Sequence, residues 1–388
     1  MKRILFARSA DAANVNAQAK NAQHILRHWR STEVRPAIFS FYAPDPELAA
    51  NPNVDIISIA PDRLWRAKIF LAYMRRFDAV FCPGIHHFAD WAALKARVLL
   101  GRPLPVITTV EGLLGIGGDD ALDDRYSELA GHPVVSQKVP ASEWRRGEAL
   151  QAMADHIIAI SPFLARQART RYGVKVSGLP LGVDVSLFRR PRWSRRARPR
   201  VVCAANVSVH KRPQVFLDLA ARFAEADFVW FGEGELRKAL IDEAAGKGIA
   251  NIAFPGALAP EAVAREFAAA DVMVLPSRSE GVPKITQEAA AAGLAQIVFG
   301  FYEAPTVVDG VNGFVVWDDN EMAQRLAALL ADRDLIERMG RAGAGMAQAW
   351  SWDKVAPRWE DRIIAAMQGR PRAVPDSLQA SCGDRKLS

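Results

Sequence analysis

Short apolar runs alternate with amphipathic stretches of helical period, and the whole alternation occurs twice along the chain. In the first half, Ile4 to Ala7, Pro36 to Phe41, Val54 to Ile59, Ala79 to Phe81 and Val106 to Val110 predict strands. Their continuous rather than alternating apolar character fits strands covered on both faces, as in a parallel sheet. Asn14 to Trp29 has a helical pattern ending in basic residues, and Glu143 to Ala154 has another that leads into the strand HIIAIS. The helix after it has Ser161 as N-cap, Pro162 in the first position and Gly173 at its end. The run KVSGLPLGVDVSLF adds a strand and a turn with Gly182 and Asp184. Arg189 to Arg200, rich in Pro and Arg, has no apolar periodicity and predicts a linker.

The pattern then restarts. Val201 to Ala205, Phe228 to Phe231 and Asn251 to Phe254 predict strands, with helices over Gln214 to Ala224, from Leu236, and over Pro260 to Ala270. The stretch Asp271 to Phe299 is the most informative. It contains a strand at Val272 to Leu275, a loop of Pro, Ser, Arg and Gly, and an Ala-rich helix from Lys284 to Ala292. Gly293 stops the helix, and Gln296 to Phe299 forms the next strand. A helix through Glu321 to Ala331 and a long one near Ser351 to Met367 complete the ordered part. Two βα series imply an α/β protein of two Rossmann-like domains facing across a cleft. The expected limits are 1–190, a basic linker at 191–200, a second domain at 201–350, a C-terminal helix at 351–368 that returns to the first domain, and a disordered tail at 369–388.

Composition narrows the class. The chain of 388 residues is half apolar and about a quarter charged, ordinary for a soluble globular protein. No apolar run reaches the roughly 20 residues of a membrane span, and the apolar run in MKRILFARSA is too short for a signal peptide. Cys82, Cys203 and Cys382 are scattered, which argues against a disulfide framework or structural zinc and for a reducing cytoplasm. Charge is uneven. Residues 1–190 hold 25 Lys and Arg against 18 Asp and Glu, residues 191–200 carry +5, and residues 201–388 hold 20 against 25. A basic first half predicts an anionic partner, either a phospholipid surface or a phosphorylated acceptor. No zinc, helix-turn-helix or RNA-recognition signature accompanies the charge, so nucleic acid is not expected. The stretch Asp62 to Asp78, with Arg63, Arg66, Lys68, Arg75 and Arg76 among aromatic and aliphatic residues, fits either a core-facing helix or a membrane-surface one. The second reading would place the protein peripherally on the inner face of the cell membrane.

Candidate chemistry gathers in the loop before the Ala-rich helix. Glu280 and Glu288 stand eight residues apart, with Lys284 and the free N–H groups of the first helical turn between them. Carboxylates accept hydrogen bonds from hydroxyls, while a lysine and helix-end donors suit phosphate oxygens, so the spacing fits a ligand carrying both. The helix dipole alone also favours carboxylates near a helix start. No cluster of metal-ligating side chains is visible in the sequence.

Four motifs, in order, resemble the GT-B glycosyltransferases, specifically the retaining family 4 (glycosyltransferase group 1). They are ADHIIAISPFLARQARTRYG with LPLGVDVSLF, Lys211 after the first strand of the second half, FGEGEL from Phe231 to Leu236, and Glu280-x7-Glu288 followed by Ala-Ala-Ala-Ala-Gly. Together they cover roughly residues 150–360. The resemblance implies a metal- and cofactor-independent, hexosyltransferase-type enzyme. It would move a sugar, with retention, from a nucleotide-diphosphate donor to a cell-surface or lipid-linked glycan. By the same resemblance Lys211 contacts the diphosphate, Glu280 the transferred sugar and Glu288 the ribose, while Gly232 and Gly234 let backbone approach the nucleotide. Gly281, Val282, Lys284, Arg212 and Asn206 complete the donor side. The first domain would bind acceptor through Asn14, Asn16 and Gln18.

Two departures from the family pattern stand out. An arginine five or six residues before the lysine is replaced by Asn206, which leaves Arg212 or Lys284 to substitute for it. A histidine after the strand ITTV is replaced by Glu111, a candidate catalytic residue, and His86, His87 and His132 lie in other loops. These departures motivate one alternative, a nucleotide-sugar-binding protein impaired in catalysis, against which the two intact glutamates argue; a nucleotide-sugar epimerase of the same fold is another, against which the Glu-x7-Glu motif argues.

Overall fold

The structure is a computed structural model that describes residues 1–13, 16–65, 67–69, 77–84, 104–112, 154–173, 175–190, 196–278 and 280–368. Its first half forms a parallel sheet of strands β1 (Lys2–Ser9), β2 (Val34–Ser40), β3 (Asp55–Ser58), β4 (Ala79–Cys82), β5 (Val106–Val110), β6 (His156–Ala159) and β7 (Lys175–Gly178). Their order across the sheet is β3-β2-β1-β4-β5-β6-β7. Helix α1 (Ala17–Arg27) follows β1 and α2 (Pro46–Ala49) follows β2. Helix α3 (Pro162–Tyr172) follows β6, capped by Ser161 and closed by Gly173 at φ 60°. A single turn, α4 (Val185–Phe188), leads out.

The second half repeats the plan with β8 (Arg200–Ala204), α5 (Pro213–Arg222), β9 (Asp227–Phe231), α6 (Arg237–Gly246), β10 (Ile252–Gly256) and α7 (Pro260–Ala268). It continues through β11 (Val272–Leu275), α8 (Lys284–Ala291), β12 (Ala295–Phe299), β13 (Gly313–Val316), α9 (Asp319–Ala331), α10 (Arg333–Ala347) and α11 (Trp352–Met367). The second sheet has the order β10-β9-β8-β11-β12-β13, again parallel. In each sheet the order reverses beside the first strand, between β1 and β4 and between β8 and β11. The carboxyl ends of such strands open a crevice at that point, and ligands bind there.

Several boundaries differ from the sequence reading. Helix α1 starts at Ala17 because the Asn16 side chain caps it, accepting from the Ala19 N–H at 3.1 Å. Arg200 opens β8, so the linker ends one residue earlier than expected. The periodicity did not predict β13 or α10. Helix α10 contains Gly340, Gly343 and Gly345, each weakening local helix preference by roughly 1 kcal/mol. Helix α10 packs directly on α8, and a Cβ on Gly343 would lie in ordinary contact, 3.5 Å from the Ala290 backbone. The expected elements over 70–76 and 143–153, and the tail 369–388, lie outside the described residues.

The two halves have separate cores. The first includes residues from the far end of the chain: Trp352, Val355, Trp359 and Ile363 of α11 are buried against α1 and the first sheet. Trp359 donates its indole N–H to the Pro180 carbonyl at 2.8 Å. No helix among the described residues is long and apolar enough to cross a membrane.

Candidate active site

The carboxyl end of β8 continues through Asn206 and Ser208 into a 3-10 turn, Val209–Lys211. Arg212 follows in the left-handed region at φ 53° and leads straight into Pro213, the first residue of α5. This tight reversal aims Lys211 toward the neighbouring β11 loop, where its Nζ donates to Glu280 Oε1. Glu280 is 8% exposed. His210 Nε2 lies 4.0 Å from the same oxygen, and burial followed by the Lys211 charge holds the imidazole below its usual pKa, so it is neutral near pH 7. A cation and a carboxylate from loops 69 residues apart thus meet at the point where the second sheet reverses its order.

Helix α8 begins beside this pair with Pro283 as N-cap and no side-chain cap, which leaves the N–H groups of its first turn without a side-chain partner. Glu288 lies one turn further in, half-buried. Among the described residues its carboxylate makes no hydrogen bond or ion pair, and burial raises its pKa against the opposing Lys284 charge.

The expected donor-side residues divide into three groups. Lys211 meets Glu280 at the β11 loop, with Gly281 next to it, and the Lys284 charge acts on Glu288 and Glu111. Arg212 is committed elsewhere: both its terminal nitrogens donate to Asp319, at 2.9 and 2.7 Å, and its guanidinium lies over the Phe299 ring. Gly232 and Gly234 serve a close approach, but between two loops of the protein. A Cβ on Gly232 would fall 2.0 Å from the Ala205 carbonyl oxygen, and one on Gly234 would fall 2.3 Å from that of Val207. Those glycines therefore seat the β9 turn against the Asn206 loop, with the Val207 N–H donating to Glu233 at 2.9 Å. Asn206 itself is exposed.

The first domain supplies the facing wall. Gly281 packs so tightly on Glu111 that a Cβ there would sit 2.1 Å from the Glu111 carbonyl oxygen, and Val282 inserts against the first core. Gln287 donates to the Leu181 carbonyl at 2.9 Å, and Arg166 of α3 reaches Glu303, beyond β12, at 2.6 and 2.5 Å. The Glu111 carboxylate accepts from Thr109 Oγ1 at 2.8 Å and from Asn21 Nδ2 at 3.2 Å. Burial raises its pKa, opposed by the Thr109 hydrogen bond, the charges of Arg8 and Lys284, and the Asn21 hydrogen bond. Gln18 lies over Gly84 at the end of β4, Asn16 serves as the α1 cap, and Asn14, His86, His87 and His132 lie outside the described residues.

Sequence reasoning missed the supports of this wall. Arg8, nearly buried at the end of β1, donates to the Pro83 and Gly84 carbonyls. Asn21 interrupts the buried stripe of α1, and that polar residue in an apolar face was the available signal. Asp319, which captures Arg212, gave no signal at a separation of 107 residues. Among the described residues no three His, Cys, Asp or Glu side chains converge to hold a metal ion.

Comparison with known proteins bears on both halves. Residues 198–332 match the family profile described as glycosyl transferases group 1, and residues 18–187 match glycosyltransferase family 4. A D-inositol 3-phosphate glycosyltransferase of Nocardia farcinica is 32% identical over 266 residues, 59% of this chain and 58% of that protein. A GDP-mannose-dependent alpha-(1-6)-phosphatidylinositol monomannoside mannosyltransferase of Mycobacterium tuberculosis is 30% identical over 234 residues, 53% of this chain and 61% of that protein. The chain therefore spans about three fifths of the length of these relatives. Among solved structures, a sucrose-phosphate synthase from Thermosynechococcus elongatus superposes with a TM-score of 0.75 at 17% identity, over 95% of this chain and 100% of that one. An Anabaena protein solved with UDP-glucose gives 0.70 at 15% identity, over 94% and 100%. At these identities the structural likeness establishes the fold: two Rossmann-like domains of the GT-B type.

Proposed function

Because this chain belongs to the family 4 glycosyltransferases of the GT-B fold, we propose that it moves a sugar from a nucleotide-diphosphate donor to a hydroxyl of a glycan or lipid-linked glycan, with retention of configuration. The observation that carries this reading is the meeting of Lys211 and Glu280 beside the uncapped start of α8, with Glu288 one turn deeper. Each group matches one part of the donor. Glu288, whose carboxylate has no partner among the described residues, accepts from the ribose hydroxyls. The diphosphate lies over the α8 N-terminus, where backbone N–H groups and the helix dipole favour negative charge. Lys211 leaves Glu280 for the phosphate next to the sugar and neutralises charge as it builds on the leaving group. Glu280, freed of its lysine, accepts from sugar hydroxyls and orients the ring. In the transfer itself, the acceptor oxygen bonds to the anomeric carbon, the bond from that carbon to the phosphate oxygen breaks, and the acceptor hydroxyl's proton passes to the departing phosphate oxygen. The electron pair departs on the nucleoside diphosphate.

The acceptor approaches from the Glu111 wall. The named relatives act on acceptors that carry phosphate, and the charge excess of residues 1–190 favours an acceptor of that kind. The same charge would draw the first domain toward anionic lipid.

The test uses purified protein with a panel of UDP-, GDP- and ADP-sugars and both soluble and lipid-linked phosphorylated acceptors. The expected result is release of nucleoside diphosphate that depends on acceptor. Glu280→Gln is expected to abolish it while nucleotide affinity remains. Donor binding with no turnover across the panel would leave a binding protein, and interconversion of nucleotide sugars would leave an epimerase.

A further inference from the structure

The crevice has several cations at its edges, and most are already engaged. Lys211 is held by Glu280. Arg212 is forked onto Asp319. Arg278 lies over Phe299 and Phe301 and 3.9 Å from Asp319. Arg8 spends its guanidinium on backbone carbonyls, and Arg166 is paired with Glu303. Lys284 is different. Among the described residues its ammonium has no hydrogen bond and no ion pair, although it is half-buried at the first position of α8 and its charge is felt by Glu288, Glu111 and His24.

An ammonium loses hydration when partly buried, and that loss is ordinarily offset by a carboxylate or carbonyl partner. Here three neighbouring groups sense the charge and none bonds it. Among the described residues both walls also carry a carboxylate that no other cation answers at bonding distance: Glu288 has no hydrogen bond or ion pair there, and Glu111 is met by neutral donors from Thr109 and Asn21. A dianionic group placed at the α8 N-terminus would complete this arrangement. It would accept from the free N–H groups and from Lys284, and would separate Lys284 from the carboxylates on either side.

We propose that Lys284 is the primary cation for the donor's diphosphate, a specificity-determining residue that selects nucleoside diphosphates over monophosphates. It takes this part because Lys211 must first be released from Glu280 and Arg212 is withdrawn to Asp319. The assignment rests on the glycosyltransferase reading, and it places the charge on the helix rather than in the β8 loop, where Asn206 is neutral and exposed. Lys284 binds first; Lys211 follows when sugar hydroxyls replace it on Glu280.

The test is calorimetric titration of the wild type, Lys284→Met, Lys284→Arg and the double variant Lys284→Met with Asn206→Arg. The probes are UDP, GDP and ADP against UMP, GMP and AMP. For the preferred base, Lys284→Met should weaken diphosphate binding by about tenfold to a hundredfold, the loss of one charge-assisted hydrogen bond. Monophosphate binding should change less than twofold. Lys284→Arg should retain affinity, and Asn206→Arg should restore a substantial part by returning a cation to the Lys211 loop. Equal losses for mono- and diphosphates, or unchanged diphosphate affinity in a folded Lys284→Met, would overturn the assignment. A wild type that binds no nucleoside diphosphate would instead remove the glycosyltransferase reading on which it rests.

Discussion

Substituting alanine for Gly281 tests whether the Glu111 wall is part of the working site. On the backbone as it stands, the added Cβ would lie 2.1 Å from the Glu111 carbonyl oxygen, 2.9 Å from its carbonyl carbon and 3.1 Å from the Gly112 Cα. Carbon–oxygen contacts settle near about 3.3 Å, so one loop must retreat by roughly 1.2 Å. The obstacle is backbone on both sides, and no flexible side chain can yield in its place. Lys211, Glu280 and Glu288 all belong to the second domain and move together, so nucleotide affinity should change less than threefold. What changes is the distance from donor to facing wall. A misplacement of about 1 Å can cost on the order of 100-fold in rate, which corresponds to about 2.7 kcal/mol in the barrier. The measurement is initial-rate transfer at saturating donor, with calorimetric nucleotide binding and thermal unfolding as controls. A Gly281→Ala protein that is folded, binds nucleotide normally and turns over within threefold of the wild type would refute the reasoning, because the Glu111 loop could then shift without consequence.

Two further outcomes follow from the seam between α1, α8 and α11. His24 stacks on Trp352 with centroids 4.8 Å apart, and burial, then the charges of Arg27 and Lys284, lower its pKa to about 3 despite the opposing Asp184. Its folded pKa lies below the unfolded value, so the unfolded chain takes up the proton first; stability is full above pH 6.5 and declines as pH falls from 6.5 toward 3. Between pH 7 and pH 5 this amounts to about 2 kcal/mol; urea titrations of His24→Phe should lack that increment, and an identical pH dependence in the variant would contradict it. Trp359 is fully buried in the first core although it lies near the chain's far end. Trp359→Ala should destabilise the first domain by about 3–5 kcal/mol while nucleotide still binds the second, and an unchanged denaturation midpoint would show that α11 is dispensable there.

The sequence by itself determined the strand and helix series, because continuous apolar runs, the Ser161 cap, Pro162 and the Gly173 stop are local instructions read over a few residues. It also determined the spacing from Glu280 to Glu288, since eight residues of loop and helix fix that geometry with little outside help. Only the tertiary structure decided how the remaining groups are used. Arg212 and Lys284 looked equivalent as substitute cations, and Asp319, 107 residues from Arg212, took one and left the other without a hydrogen bond or ion pair among the described residues. Gly232 and Gly234, read as room for a nucleotide, also seat the β9 turn against the Asn206 loop. Glycine-rich α10 was hidden because its stability comes from packing on α8 rather than from its own propensity. Gly281 gained its meaning only once Glu111 was brought against it from the other half of the chain. Such pairings depend on how segments distant in sequence pack together, within the second domain and across to the first, and local periodicity carries no record of that choice.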